Sequence, residues 1–153
     1  MMTMNAYEFL ADKAKYKNTM RIVLDEGAKM PTRAHTWDGG LDLYAMHDGI
    51  VDYSKTFDTG VHVQIPEGCV GFIKSKSGLM VNRQITTDGT IDAHYTGSIK
   101  VKLFNHGQES YHVKAGDKIA QLVIFKCELP TLEVVDALEE TDRGDNGFGS
   151  TGR

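Results

Sequence analysis

Apolar residues spaced at every second position, in runs too short for helices, constrain this chain more than any other feature. Val61, Val63 and Ile65 alternate with His62 and Gln64, and Ile99, Val101 and Leu103 alternate with Ser98, Lys100 and Lys102. Leu41, Leu43 and Ala45 alternate with Asp42 and Tyr44, and Met20, Ile22 and Leu24 with Arg21, Val23 and Asp25. Successive side chains of a strand point to opposite faces, so each run predicts a strand with one face on a core and one in water. Ile119 to Phe125 is more continuously apolar, which predicts a strand buried on both faces or at a subunit contact. Turn signals fall between the runs at Asp38-Gly39-Gly40, Asp48-Gly49, Pro66-Glu67-Gly68, Asp88-Gly89, Asn105-His106-Gly107 and Ala115-Gly116-Asp117. Many short strands punctuated in this way predict an all-β, single-domain sandwich and not a βαβ sheet.

The ends of the chain read differently. Tyr7, Leu10, Ala11 and Ala14 recur at helical spacing behind Asn5, a suitable cap, so residues 1–18 are expected to form a short N-terminal helical extension. Residues 19–141 carry the β pattern. Residues 142–153 hold four glycines, two arginines and one apolar residue, Phe148, a composition too poor in apolar surface to offset its ordering entropy. A mobile Gly-rich tail is expected there. Its lone aromatic, with Arg143, Ser150 and Thr151 beside it, suits stacking a base and wrapping a polyphosphate.

Charge narrows the function. Lys and Arg number 17 against 21 Asp and Glu, a net charge of −4, which argues against sequence-blind binding to duplex nucleic acid. A phosphate-bearing small ligand is still compatible, because a few cations and backbone N–H groups suffice to hold one. The longest apolar stretch is Leu122 to Phe125, and Met1 to Lys17 has no apolar core of a secretory signal, so a cytoplasmic protein is expected. Cys69 and Cys127, with no C-x-x-C pair, read as two reduced thiols.

Most familiar motifs are absent. Gly147-Phe148-Gly149-Ser150-Thr151-Gly152 fits G-x-G-x-x-G in letters, but the helix that a dinucleotide fingerprint opens has no room after it. There is no P-loop pattern, no G-x-S-x-G elbow and no H-x-x-x-H spacing. Five short segments carry more. They are Gly40-Leu41-Asp42-Leu43-Tyr44-Ala45, then Lys76-Ser77-Gly78-Leu79, then Gly89-Thr90-Ile91-Asp92-Ala93-His94-Tyr95-Thr96-Gly97, then Gly116-Asp117-Lys118-Ile119-Ala120-Gln121-Leu122, and last Arg143-Gly144 with Gly149-Ser150-Thr151-Gly152. Taken singly, Lys76-Ser77-Gly78 reads as a turn and Asp92 as a residue capping a Gly-bounded turn.

In this order on an all-β chain of this length, the five segments resemble the homotrimeric dUTPase family, deoxyuridine 5′-triphosphate nucleotidohydrolase. The resemblance runs from about Arg21 to Arg153 and implies a jelly-roll-like fold. It implies hydrolysis of dUTP to dUMP and pyrophosphate, assisted by Mg²⁺, which limits uracil in DNA and supplies dUMP for thymidylate synthesis. By the same resemblance Asp92 activates the attacking water as general base, its charge state tuned by Ile91 and the bound polyphosphate. Gly89, Thr90 and Ile91, as a hairpin, present main-chain groups to the uracil edge and leave no room for a 5-methyl. Tyr95 lies under the deoxyribose and excludes a 2′-hydroxyl. Lys76, Ser77, Gly78 and Gln121 hold phosphates, and Lys100 is a further candidate for substrate contact. Asp42 reaches Mg²⁺ through water, as suits a hard ion that keeps most of its water shell. Arg143, Gly149, Ser150 and Thr151 close on the γ-phosphate while Phe148 stacks on the uracil. The sites are shared among three subunits.

Lys76 stands where the family commonly has Arg, which keeps the charge but loses the bidentate fork. Asn146 stands at a customary glycine, and Asn tolerates positive φ best after glycine. Lys76 and the short linker between Gly78 and Gly89 are similar to phage and prophage variants, which implies the host's cytoplasm if the chain is phage-encoded. Two other readings on the same scaffold stand beside this one. A dCTP deaminase needs a glutamate in the third segment, and none lies between Asp88 and Lys100. A nucleotide-switched, protein-binding regulator would show an added insertion or an altered motif, and no extra domain lies between Tyr95 and Gly116.

Overall fold

The computed structural model describes residues 19–142 together with Gly144. In chain order it contains β1 (Arg21–Leu24), β2 (Gly40–Tyr44), β3 (Gly49–Val51), β4 (Ser54–Asp58), β5 (Val61–Gln64) and β6 (Cys69–Lys74). A helix, α1 (Ser77–Arg83), follows, then β7 (Ile85–Thr86), β8 (Asp88–Ile91), β9 (Lys100–Asn105), β10 (Tyr111–Val113) and β11 (Lys118–Lys126). A four-stranded sheet has the order β2-β11-β6-β8 and a three-stranded one β4-β9-β7, with pairs β1-β5 and β3-β10 beside them. All pairings are antiparallel. The architecture is all-β and jelly-roll-like.

The alternating runs build the core as the period of two requires. Leu43, Ile73 and Leu122 enter it from the four-stranded sheet, Val101, Leu103 and Phe57 from the three-stranded one, and Val61 and Val63 from β5. Lys100 and Lys102 between the buried residues of β9 stay exposed. Truncating a fully buried leucine such as Leu43 to alanine is expected to cost about 2–5 kcal/mol. β11 runs down the middle of its sheet, paired with β2 on one side and β6 on the other. Consecutive Ile119 and Ala120 are both buried because the register shifts at a bulge between Lys118 and Ala120, which interrupts the alternation; Phe125 near the strand's end is 50% exposed. The pairing of Cys69 with Lys126 brings Cys127 into the next position, and both thiols are free.

Four expectations need correction. Lys76-Ser77-Gly78 does not make a simple turn, because Ser77 and Gly78 open α1. The helix has no side-chain cap and no buried residue, so neither capping nor periodicity betrays it. Asp88-Gly89 is strand and not turn. Gly89, Thr90 and Ile91 form no hairpin with the preceding strand, since β7 joins β9 while β8 joins β6. Along β1, paired with β5, Ile22 and the preceding Met20 pack against the core and Val23 faces water as expected, but Leu24, expected on the core face, is 37% exposed. The predicted N-terminal helix lies outside the described residues. The sheets end at Lys126, and 127–142 continue without strand or helix. No helix among the described residues is long and apolar enough to cross a membrane.

Candidate active site

Strand register gathers one group of charged and polar residues. Asp42 on β2 lies opposite Gln121 on β11, Gln121 opposite Lys74 on β6, and Lys74 opposite Asp88 on β8. Directly paired residues share a face, so these four form a row across the sheet, on the face opposite Leu43, Leu122 and Ile73. The Lys74 ammonium donates to Asp88 at 2.7 Å and holds that carboxyl below its usual pKa. Gln121 donates from Nε2 to the Ser75 carbonyl at 3.2 Å. A side chain at Gly40 would run into the Gln121 amide, so this glycine gives Gln121 its place.

Asp42 is buried, and each carboxylate oxygen meets an ammonium. Lys76 Nζ lies 2.5 Å from Oδ1 and Lys118 Nζ 2.7 Å from Oδ2. Burial disfavours the Asp42 charge, but the hydrogen bonds and charges of Lys118 and Lys76 outweigh it and hold the pKa below the carboxylate range. The Lys118 pKa is raised in return, chiefly by its hydrogen bond to Asp42. Lys76 directly precedes α1, so Ser77 and Gly78 stand exposed beside this ion pair. Nothing lies within 4 Å of where a Gly78 side chain would begin, and one at Gly89 would meet Ile73 at an ordinary 3.6 Å. Packing therefore dictates neither glycine.

A second group lies at the other end of β8. Asp92 is exposed and follows Ile91, itself paired with Gly71. Four residues of strand at about 3.3 Å each separate Asp88 from Asp92 by about 13 Å. The turn after it is closed by the Tyr95 N–H donating to the Asp92 carbonyl at 3.0 Å. The Tyr95 hydroxyl donates to the Ser98 carbonyl at 3.0 Å. Ser98 in turn donates to Asp58 Oδ1, and Lys100 Nζ sits 2.5 Å from Asp58 Oδ2. Burial works against the Asp58 charge, yet Lys100, Ser98 and the Gly60 N–H together depress its pKa far below the normal value.

The fold thus brings Asp42, Lys76 and Gln121 together with Ser77 and Gly78, and holds Asp92, Tyr95 and Lys100 apart from them in the same chain. Gly89 and Thr90 link the two on β8, an edge strand whose backbone is paired only on the β6 side. Arg143, Phe148, Gly149, Ser150 and Thr151 lie outside the described residues. Sequence reasoning missed Lys118 as the second partner of Asp42. The segment Gly116 to Leu122 contains it, but only the pairing of β11 with β2 shows where its ammonium goes.

Mg²⁺ is the cofactor to test against these donors. Among the described residues no three His, Cys, Asp or Glu side chains cluster to hold a metal, and both Asp42 oxygens already meet ammoniums. An all-protein cage is excluded for these residues. An ion held by phosphate oxygens and its own water shell needs no such cage and is compatible with these residues.

An all-β jelly-roll-like chain with a glycine-bounded, cation-bearing cluster at one end of a sheet and an exposed carboxylate at the other is of a class suited to handling nucleotides. The chain matches the family model described as dUTPase over residues 26–152. Over 141 residues it is 41% identical to the deoxyuridine 5′-triphosphate nucleotidohydrolase of Clostridium tetani, covering 88% of this chain and 97% of that one. Staphylococcus bacteriophage 80alpha dUTPase, solved with dUpNHpp, superposes with a TM-score of 0.80 at 30% identity, over 89% of this chain and 99% of that one. A variant of the dUTPase from phage phi11 of S. aureus, whose structure describes coordination of a structural Mg(II) ion, gives a TM-score of 0.74 at 29% identity, over 80% and 100%. The chain belongs to the dUTPase family.

Proposed function

We propose that this chain is a dUTP diphosphatase, hydrolysing dUTP to dUMP and pyrophosphate. The observation that carries the reading is the joining of Asp42, Lys76 and Gln121, from three separated family segments, into one cluster beside Ser77 and Gly78. Lys76 supplies charge, Gln121 and Ser77 supply hydrogen-bond donors, and Gly78 leaves its backbone N–H open to a phosphate oxygen. Gly89 needs no side chain for packing, and the free edge of β8 offers Gly89, Thr90 and Ile91 main-chain groups to a uracil edge. Asp92 takes the proton of a water as its oxygen bonds to the α-phosphorus and the bond from that phosphorus to the bridging oxygen breaks, releasing pyrophosphate. When bound with the triphosphate, Mg²⁺ would neutralise phosphate charge; Asp42 would hold one of its waters. Tyr95 excludes a ribose 2′-hydroxyl. Arg143, Gly149, Ser150 and Thr151 close on the γ-phosphate and Phe148 stacks on the base.

The same reading makes the working form a homotrimer. The separation of Asp92 from the Asp42 cluster supports it, since a second copy would supply the missing half. So does the segment after β11, where Leu129, Leu132, Val134 and Leu138 are 80–100% exposed, apolar surface that a neighbouring subunit would cover. A cytoplasmic location, in the host if the chain is phage-encoded, accords with a nucleotide substrate. The test is pyrophosphate release from dUTP, dTTP, dCTP and UTP. Strong release from dUTP alone is expected; comparable turnover of dTTP or UTP, or none of dUTP, would overturn the reading.

A further inference from the structure

The turn that carries Tyr95 is tied down by a residue outside all five segments. His62 lies on β5 opposite Val23 of β1. Its Nδ1 is 2.8 Å from the Thr96 carbonyl and its Nε2 is 3.2 Å from Asp25 Oδ1. Both neighbours are acceptors. A neutral imidazole carries one N–H and satisfies one of them, whereas an imidazolium satisfies both.

We propose that protonated His62 is a positioning residue, clamping the Thr96 carbonyl to Asp25 and so fixing Tyr95 against the sugar. Rejection of a ribose 2′-hydroxyl is then strongest where His62 is charged. This rests on the dUTP reading for the role of Tyr95. The mechanical link is short. Thr96 is the next residue, and the Tyr95 ring folds back so closely that a side chain at Gly97 would begin 2.6 Å from its Cζ. A shift at Thr96 therefore moves the ring.

The charged surroundings agree with the geometry. Asp25, just past β1, and Asp58, at the end of β4, face the ring with negative charge, and Lys100 of β9 is paired with Asp58. The pKa of His62 is raised from the usual 6.5, first by the Thr96 carbonyl and next by Asp25. Because the folded-state pKa is the raised one, the clamp is complete below about 6.5 and lost as pH rises through the raised value.

The test measures kcat/KM for dUTP and UTP from about pH 5.5 to about pH 9 for the unaltered chain, His62→Gln and Asp25→Asn. NMR titration of His62 and of the Tyr95 and Thr96 amides runs alongside. In the unaltered chain the dUTP/UTP ratio should fall several-fold through the His62 midpoint, and both amides should titrate with it. His62→Gln should hold the lower ratio at every pH, and Asp25→Asn, an exposed change that spares the fold, should lower the midpoint. Tyr95 and Thr96 amides that ignore the His62 midpoint, or an unchanged ratio profile in His62→Gln, would overturn the proposal while leaving dUTP hydrolysis intact. Failure of the unaltered chain to hydrolyse dUTP would instead overturn the functional reading, and the amide titration would still decide the clamp.

Discussion

At the Asp42 end of the four-stranded sheet the charges are paired before any ligand arrives: Asp42 with Lys76 and Lys118, and Asp88 with Lys74. At the other end Asp92 stands exposed, its carboxylate without a partner among the described residues, while hydrogen bonds hold the backbone of the turn that follows. The contrast fits the two tasks that the proposed function gives these residues. Cations that must meet a polyphosphate are best held in place by a buried carboxylate, which fixes their position and keeps them charged. A general base has to keep its lone pairs for water, so its positioning comes through the main chain.

Each prediction tests that division. The largest effect is expected from Asp92→Asn, which should leave dUTP binding nearly intact and lower turnover by roughly 10²–10⁴-fold, the usual weight of a general base. Pyrophosphate release against binding of a non-hydrolysable analogue decides it, and turnover within a few-fold of the parent would remove Asp92 from the role. The two halves can next be put on separate chains. Asp92→Asn and a combined Lys76→Met with Gln121→Ala variant, each far below the parent, should on mixing as a trimer recover roughly a quarter of the parent sites, as random subunit pairing gives. No recovery after confirmed subunit exchange would place both halves in one chain.

Lys76→Met should lower kcat/KM by about 10-fold to 100-fold, the worth of a charge-assisted hydrogen bond to phosphate. Its stability should change less, because Lys118 still neutralises Asp42; equal losses in both would make Lys76 a structural residue only. Gly97→Ala, by crowding the Tyr95 ring, should weaken discrimination against UTP a few-fold with kcat for dUTP nearly unchanged. The smallest effect is on acid stability. The lowered pKa of Asp42 stabilises the fold above the ordinary carboxylate value of 3.8 and is lost as pH falls below it. Denaturant melts of Asp42→Asn should accordingly show a shallower acid limb than those of the parent.

Much of this was decided locally. Alternation at Val61 to Ile65 and at Ile99 to Leu103 dictates strands and names their buried faces, because a period of two permits one solution wherever one face is apolar. The five segments, read by resemblance, name Asp42, Lys76, Asp92 and Gln121 with no coordinates at all. Tertiary structure decided the rest. α1 arises in a stretch with neither a side-chain cap nor a buried apolar stripe, and Asp88-Gly89 becomes strand because β6 offers a pairing edge that outweighs the local turn preference of the dipeptide. Lys118 reaches Asp42 only through the β11–β2 register, and His62 reaches Thr96 across 34 residues of sequence. Sequence periodicity fixes which way a side chain points along its own strand. Which charge it then meets depends on long-range strand pairing, and no local pattern encodes that.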